Sequence, residues 1–142
     1  MREAISVDPK RSANMARIGQ RDTAPELAVR RSLHSLGYRF RLHQPDLPGK
    51  PDITLPRHRL AVLVHGCFWH RHPRCRYAYT PKTRVEFWTH KFDQNVARDK
   101  RVNRELRALG WTVVTVWECE TFDTVSLTKR LERFFKRLDG HG

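Results

Sequence analysis

Residues 66–81, GCFWHRHPRCRYAYTP, follow neither the two-residue period of a strand nor the 3.6-residue period of a helix. A stretch that long, without regular backbone bonding, has to be held by something else in a small chain. Cys67, His72 and Cys75 lie within nine positions of one another, and Cys119 follows the apolar run that ends at Trp117. Zinc prefers thiolate and imidazole in a closed tetrahedron, and a Cys₃His set uses every cysteine of the chain. Spacing alone does not choose between His72 and His70 as the fourth ligand. Ordinary buried thiols are the plainer alternative. A closed tetrahedron of this kind is structural, because it leaves no position for substrate.

The staple matters because the chain is short. Its 142 residues suit one domain with a single modest core. Residues 1–12 read as a polar, aperiodic, flexible N-terminal arm, and residues 13–142 as the single domain. Lys and Arg number 28 against 15 Asp and Glu, a formal charge of +13, with a sequence pI near 10.6. That balance points to a polyanion, although Arg31, Arg39, Arg41, Arg57, Arg59, Arg71, Arg74 and Arg76 are spread along the chain and draw no footprint. The longest apolar run, at 60–64, is far short of a membrane span, and the first dozen residues carry no signal-peptide core. Three cysteines without an export signal then imply reduced thiols in the cytoplasm.

Local signals order the elements. Thr23 is placed as an N-cap, with Pro25 in the first turn and Glu26 at the capping-box position; Val29, Leu33 and Leu36 form a stripe that ends at Gly37. Residues 38–42, 53–55 and 60–65 read as strands, the last buried on both faces. A helix is expected over 83–109, with a break near Phe92. Gly110 stops it, 111–117 is a strand, and Leu127, Leu131, Phe134, Phe135 and Leu138 line a closing helix. The order α, β, β, β, α, β, α predicts an α/β fold, a mixed sheet flanked by helices.

A second cluster suggests chemistry. Pro51-Asp52 opens one strand, and the next ends at His65, so Asp52 and the Val64 carbonyl are expected to meet at one edge of the sheet. A carboxylate beside a backbone carbonyl is a hard-oxygen site suited to Mg²⁺. His65 and His70 follow, and Asn95 and Asp99 lie at i and i+4 on one helix face. An aspartate bonded to a histidine orients the imidazole as a general base. Each residue also has a plainer role: Glu26 in a cap, Asp52 in a turn, Asp99 beside Arg98 or Arg101 on a solvated face.

These residues fall into a recognisable pattern. Arg11-Ser12-Ala13-Asn14-Met15, Thr23 with Glu26, Leu47-Pro48-Gly49-Lys50-Pro51-Asp52, His65-Gly66-Cys67-Phe68-Trp69-His70, Glu86-Phe87-Trp88, Asn95 with Asp99, and Val116-Trp117-Glu118-Cys119 together resemble the very-short-patch (Vsr-type) mismatch-repair endonucleases. The resemblance runs from residue 11 to about 120. It implies a restriction-endonuclease-like fold with a structural Zn²⁺, and nicking of DNA on the 5′ side of the thymine in a T:G mismatch, the lesion left when 5-methylcytosine deaminates.

By the same resemblance Asp52 is the Mg²⁺ ligand with the Val64 main-chain carbonyl beside it. His70 is the general base oriented by Asp99, and His65 contacts the reacting phosphate. Glu26 acts through metal-bound water and Asn95 supports the cluster. Cys67, His72, Cys75 and Cys119 become the zinc set. Common nucleases of this fold carry a second acid and a lysine where this chain has Val64 and His65. Val64 stands where the family's pattern has threonine, a change that a backbone contact tolerates, and the loop before Cys75 is one residue longer.

Phe68, Trp69 and Trp88 are the expected wedge residues, since flat side chains can enter a base stack and a mismatch lowers the cost of unstacking. Met15 and Ile18 are expected to cover the opposite groove. The implied partner is double-stranded DNA, bound by a monomer, with mismatch-repair proteins as further partners. Two other functions fit the charge and the motifs at this point: a restriction-type nuclease cutting both strands, and a zinc-stapled DNA-binding module without turnover.

Overall fold

The computed structural model describes residues 22–140, with side chains to residue 138; the expected arm at 1–12 and the residues Met15 and Ile18 lie outside them. Helix α1 spans Ala24–Ser35, β1 Arg41–Leu42, β2 Ile53–Leu55 and β3 Leu60–His65. A one-turn helix, α2, follows at Cys67–His70, then α3 at Val85–Ala108, β4 at Thr112–Trp117 and α4 at Thr124–Gly140. The strands form one sheet in the order β1-β2-β3-β4; β3 and β4 are parallel and the other pairs antiparallel. This is the expected mixed sheet flanked by helices. Among the described residues, no helix is long and apolar enough to cross a membrane.

Strand β3 reads as an unbroken apolar run because both of its faces are covered. Leu60 and Val62 join Ile53, Leu55, Val114 and Val116 against α1 and α4, where Val29, Leu33, Leu127, Leu131 and Phe135 complete the main core. Ala61, Leu63 and Val113 face the other way, onto Val102 and Leu106 of α3. Alternate residues of one strand thus serve two cores.

Thr23 caps α1 by accepting a hydrogen bond from the Glu26 amide at 3.3 Å. Both long helices before a strand end in the same motif. Gly37 at φ +86° follows α1, with the Tyr38 amide bonded to Leu33 O and the Gly37 amide to His34 O; Gly110 at φ +90° follows α3, with Trp111 bonded to Leu106 O and Gly110 to Arg107 O. The strand expected over 38–42 shrinks to two residues, because Tyr38 stacks on Phe135 at 3.8 Å between ring centroids instead of pairing.

Helix α3 runs through Phe92 without the expected break. It contains neither Pro nor Gly, and its inward stripe continues through Trp88, Phe92, Asn95, Val102 and Leu106. The apolar period falters at one turn because polar Asn95 and half-buried Asp99 occupy the inward positions there.

Candidate active site

Strand β2 begins at Ile53, opposite Val62, so the backbone of β2 does not reach the amide of Val64. The side chain of Asp52 takes its place: Val64 N–H donates to Asp52 Oδ2 at 2.8 Å. On its other side the Asp52 carbonyl accepts from the His43 amide at 3.0 Å. Asp52 therefore meets Val64 through the Val64 amide, where the expectation named the carbonyl, and at the ends of two central strands, not at the lateral edge of the sheet. The turn before Asp52 is pressed onto α3 at Gly49, where a Cβ would lie 2.5 Å from Val102 and φ is +73°.

Burial pushes the Asp52 carboxyl up to about 6, helped by the nearby Glu26 charge and opposed by the Val64 amide. A carboxylate whose ionised form is this poorly solvated suits a cation. That fits the hard-oxygen donor set expected for Mg²⁺.

Three groups stand at the end of β3. His70 Nδ1–H donates to Asp99 Oδ2 at 2.7 Å, which leaves the Nε2 lone pair free to accept a proton. The ring of His65 stacks on that of His70 at 3.9 Å and 6°, with its Nε2 4.0 Å from Asp99 Oδ1. Burial, with the neighbouring His70, lowers the His65 pKa to about 4, so this imidazole is neutral at pH 7. Asp99 thus faces α2 and not Arg98 or Arg101. One turn earlier on α3, Asn95 Nδ2 donates to Trp69 O at 2.9 Å, so Asn95 positions the backbone that carries His70.

Glu26 is almost wholly buried, at 2 % exposure. Its carboxylate does not turn back onto the cap; it pairs with Arg30 and lies 2.8 Å from His43 Nε2, off the line of a hydrogen bond. His43, at φ +48°, touches Glu26 through its ring and Asp52 through its amide. The sequence reading missed it, and only its place between β1 and the LPGKPD turn could have pointed to it.

The irregular loop resolves into a cluster. The ligand atoms of Cys67, His72, Cys75 and Cys119 all lie within 4.8 Å of one another. His72 Nδ1 is 3.6 Å from Cys67 Sγ and 3.5 Å from Cys119 Sγ. Donors around a tetrahedral zinc at ordinary bond lengths lie roughly 3.5–3.8 Å apart. His72, not His70, joins the thiols, with its ring stacked on Trp117 at 4.3 Å. Burial pushes the Cys67 and Cys119 thiols above their usual range. Crowded thiols of this kind fit a cation that holds them as thiolates. Cys67 also opens α2, so one cluster fixes both the loop and the helix that bears His70. Arg71 closes the far side, donating to Phe68 O and Tyr79 O, with its guanidinium 3.9 Å from the Phe92 ring centroid.

Phe68, Trp69 and Trp88 come together, with centroids 5.1 to 5.8 Å apart. Phe68 and Trp69 are half-buried, whereas Trp88 is 1 % exposed and lies behind them. Phe87 and Tyr79, which sequence reasoning did not single out, extend this cluster to the surface at 44 % and 37 % exposure. The Glu86-Phe87-Trp88 run was the available signal for Phe87. Tyr79 had none.

A cleft of about 600 Å³ runs from His65 and His70 along α3, where Lys100, Asn103, Arg104 and Arg107 line it.

Comparison with known proteins places the chain among DNA endonucleases. The family model described as "DNA mismatch endonuclease Vsr" matches residues 5–76. The type II nicking enzyme V.XorIIP of Xanthomonas oryzae pv. oryzae is 51 % identical over 117 residues, 82 % of this chain and 85 % of that protein. The DNA mismatch endonuclease Vsr of Escherichia coli K12 is 43 % identical over 129 residues, covering 87 % and 82 %. Among solved structures, the catalytic domain of the homing endonuclease I-Bth0305I superposes with a TM-score of 0.57 at 21 % identity, over 82 % of this chain and 98 % of that one, a likeness of fold.

Proposed function

The chain belongs to the DNA mismatch endonuclease Vsr family, a family of DNA-cleaving hydrolases, and from that premise we propose that it nicks one strand of duplex DNA on the 5′ side of the thymine in a T:G mismatch. The observation that carries this reading is the Asp99-held His70 stacked on a neutral His65, with half-buried Asp52 at the neighbouring strand end.

His70 Nε2 takes the proton of the attacking water, because its Nδ1–H is committed to Asp99. A neutral imidazole can do this near pH 7, where lysine would need a large shift. His65 sits against the phosphate with its ring held flat on His70. Asp52 and the Val64 carbonyl would hold Mg²⁺, and Glu26, behind Asp52, would support that site through water. The bound ion supplies neutralisation of the charge that grows on the scissile phosphate. Cys67, His72, Cys75 and Cys119 hold a structural Zn²⁺ that fixes α2.

Phe68 and Trp69 wedge into the stack at the mismatch, with Trp88 as their backing. A mismatched pair unstacks at lower cost, so part of the selectivity comes from deformability. Met15 and Ile18 reach the opposite groove, the protein acts as a cytoplasmic monomer, and mismatch-repair proteins are its further partners.

The test is cleavage of end-labelled duplexes carrying T:G or the matched pair, with and without Mg²⁺, by the wild type and Asp52→Ala. Nicking confined to the thymine strand of the T:G duplex, dependent on Mg²⁺ and lost in Asp52→Ala, supports the proposal. Equal cutting of matched DNA makes it a restriction-type nuclease. Binding without cutting, across varied flanking sequences, makes it a DNA-binding module.

A further inference from the structure

Helix α3 carries three functional zones in order along its axis. Trp88 and Phe92 back the aromatic cluster, Asn95 and Asp99 hold α2 and His70, and Lys100, Arg104 and Arg107 follow at i, i+4 and i+7. The last three project from one face of the helix. They line the cleft of about 600 Å³ that opens at His65 and His70. The carboxylate in that cleft, Asp99, is bonded to His70. Arg107 Nε donates to Asn103 Oδ1 at 2.6 Å, which fixes the guanidinium and leaves its outer nitrogens for another acceptor. The nearest acidic residue along the helix, Glu105, pairs with Arg101 and does not line the cleft.

We propose that this cleft is a binding site for the backbone of the strand being cut, on the side of the scissile phosphate away from the aromatic wedge, and that Lys100, Arg104 and Arg107 each contact a phosphate there. This rests on the endonuclease reading above for which phosphate lies at His65 and His70. From Asp99 to Arg107 is eight residues, about 12 Å of helix. A DNA strand rises 3.4 Å per nucleotide, so that length matches roughly three phosphates. The cations at one end of the cleft and the His pair at the other let one strand bridge both. A second anchor beyond the cut fixes the register of the scissile phosphate against His70.

The experiment uses the full-length protein and duplexes in which one phosphate at a time, at the three positions on either side of the nick site, is replaced by a neutral methylphosphonate. Binding is measured without Mg²⁺ so that no substrate is consumed. The wild type is expected to lose about tenfold in affinity when a phosphate on one side is neutralised. Lys100→Ala/Arg104→Ala is expected to be weaker on the native duplex and indifferent to the same substitution. Its salt dependence should also fall by about 2 in slope, close to one per lost phosphate contact. If the double variant stays as sensitive to every neutral phosphate as the wild type, and its salt slope is unchanged, the proposal is overturned. Charge-preserving Lys100→Arg/Arg104→Lys should restore most of the slope, which separates lost contact from lost folding. The outcome is independent of whether T:G is the preferred lesion. A wild type that fails to nick T:G but shows the slope change overturns the activity reading and leaves the DNA site standing.

Discussion

The amide of Val64 donates to the carboxylate of Asp52 across 2.8 Å, so a side chain completes the sheet where β2 stops. The bond sets Asp52 at the strand end, where burial raises its pKa to about 6 against the pull of the Val64 amide. The same carboxylate thereby serves the sheet and the site.

Asp99→Asn should leave α2 in place while removing the charge that supports protonated His70. Single-turnover nicking is expected to fall by about 10²–10⁴-fold, the usual range for an impaired general base. DNA affinity should change little. A variant that nicks within threefold of the wild type would remove His70–Asp99 from the mechanism.

Asp52 and His65 make opposite demands on pH. Asp52 titrates near 6 when folded, above its ordinary value of 3.8, so the folded state holds more protons and this group's contribution to stability grows as pH falls through 6 towards 4. His65 titrates near 4, below its ordinary 6.5, so the unfolded state binds the extra proton and stability is lost as pH falls from 6.5 to 4. Each amounts to about 3 kcal/mol at most, and they nearly cancel. Without added Mg²⁺, Asp52→Asn should therefore become more acid-labile between pH 6.5 and 4, and His65→Gln less so. Denaturant midpoints across that range check both signs. Mg²⁺ binding should weaken below about pH 6 in the wild type.

The thiol cluster predicts about one zinc per chain. Cys119→Ser should lower the metal content measured by atomic absorption and destabilise the chain, because Cys67 and Cys119 share the site that anchors α2. Chelator treatment should release α2 and abolish nicking even with Mg²⁺ in excess. Full zinc retention in Cys119→Ser would remove that residue from the ligand set.

The aromatic residues should separate by burial. Trp88→Ala opens a cavity in a fully buried site and is expected to cost about 3–5 kcal/mol of stability. Trp69→Ala, half-exposed, should cost less than half as much and mainly reduce the preference for mismatched over matched DNA. Thermal denaturation paired with competition binding distinguishes the two. Equal losses of stability would place Trp69 in the core and not in the wedge.

Motif chemistry was readable from the chain alone wherever the relevant residues are close in sequence or set by a local signal. Thr23 as a cap, Gly37 and Gly110 as helix stops, and the apolar run of β3 follow from backbone sterics and periodicity. The supposed break at Phe92 was misread, because Asn95 and Asp99 interrupt the apolar pattern without interrupting the helix. The length of β1 was misjudged because Tyr38 found a partner in Phe135, almost a hundred positions away.

What the sequence determined by itself is an inventory with spacing: three cysteines and a histidine suited to zinc, an aspartate after proline, paired histidines, and an excess of basic charge. Packing between distant elements assigns each histidine to its cluster. His70 and His72 are two positions apart, but the left-handed turn at Arg71 sends one to Asp99 and the other to the thiols. The fold likewise decided that Trp88 is backing and that Glu26 pairs with Arg30 and His43. These outcomes depend on contacts between elements distant in sequence, which no local period or spacing encodes.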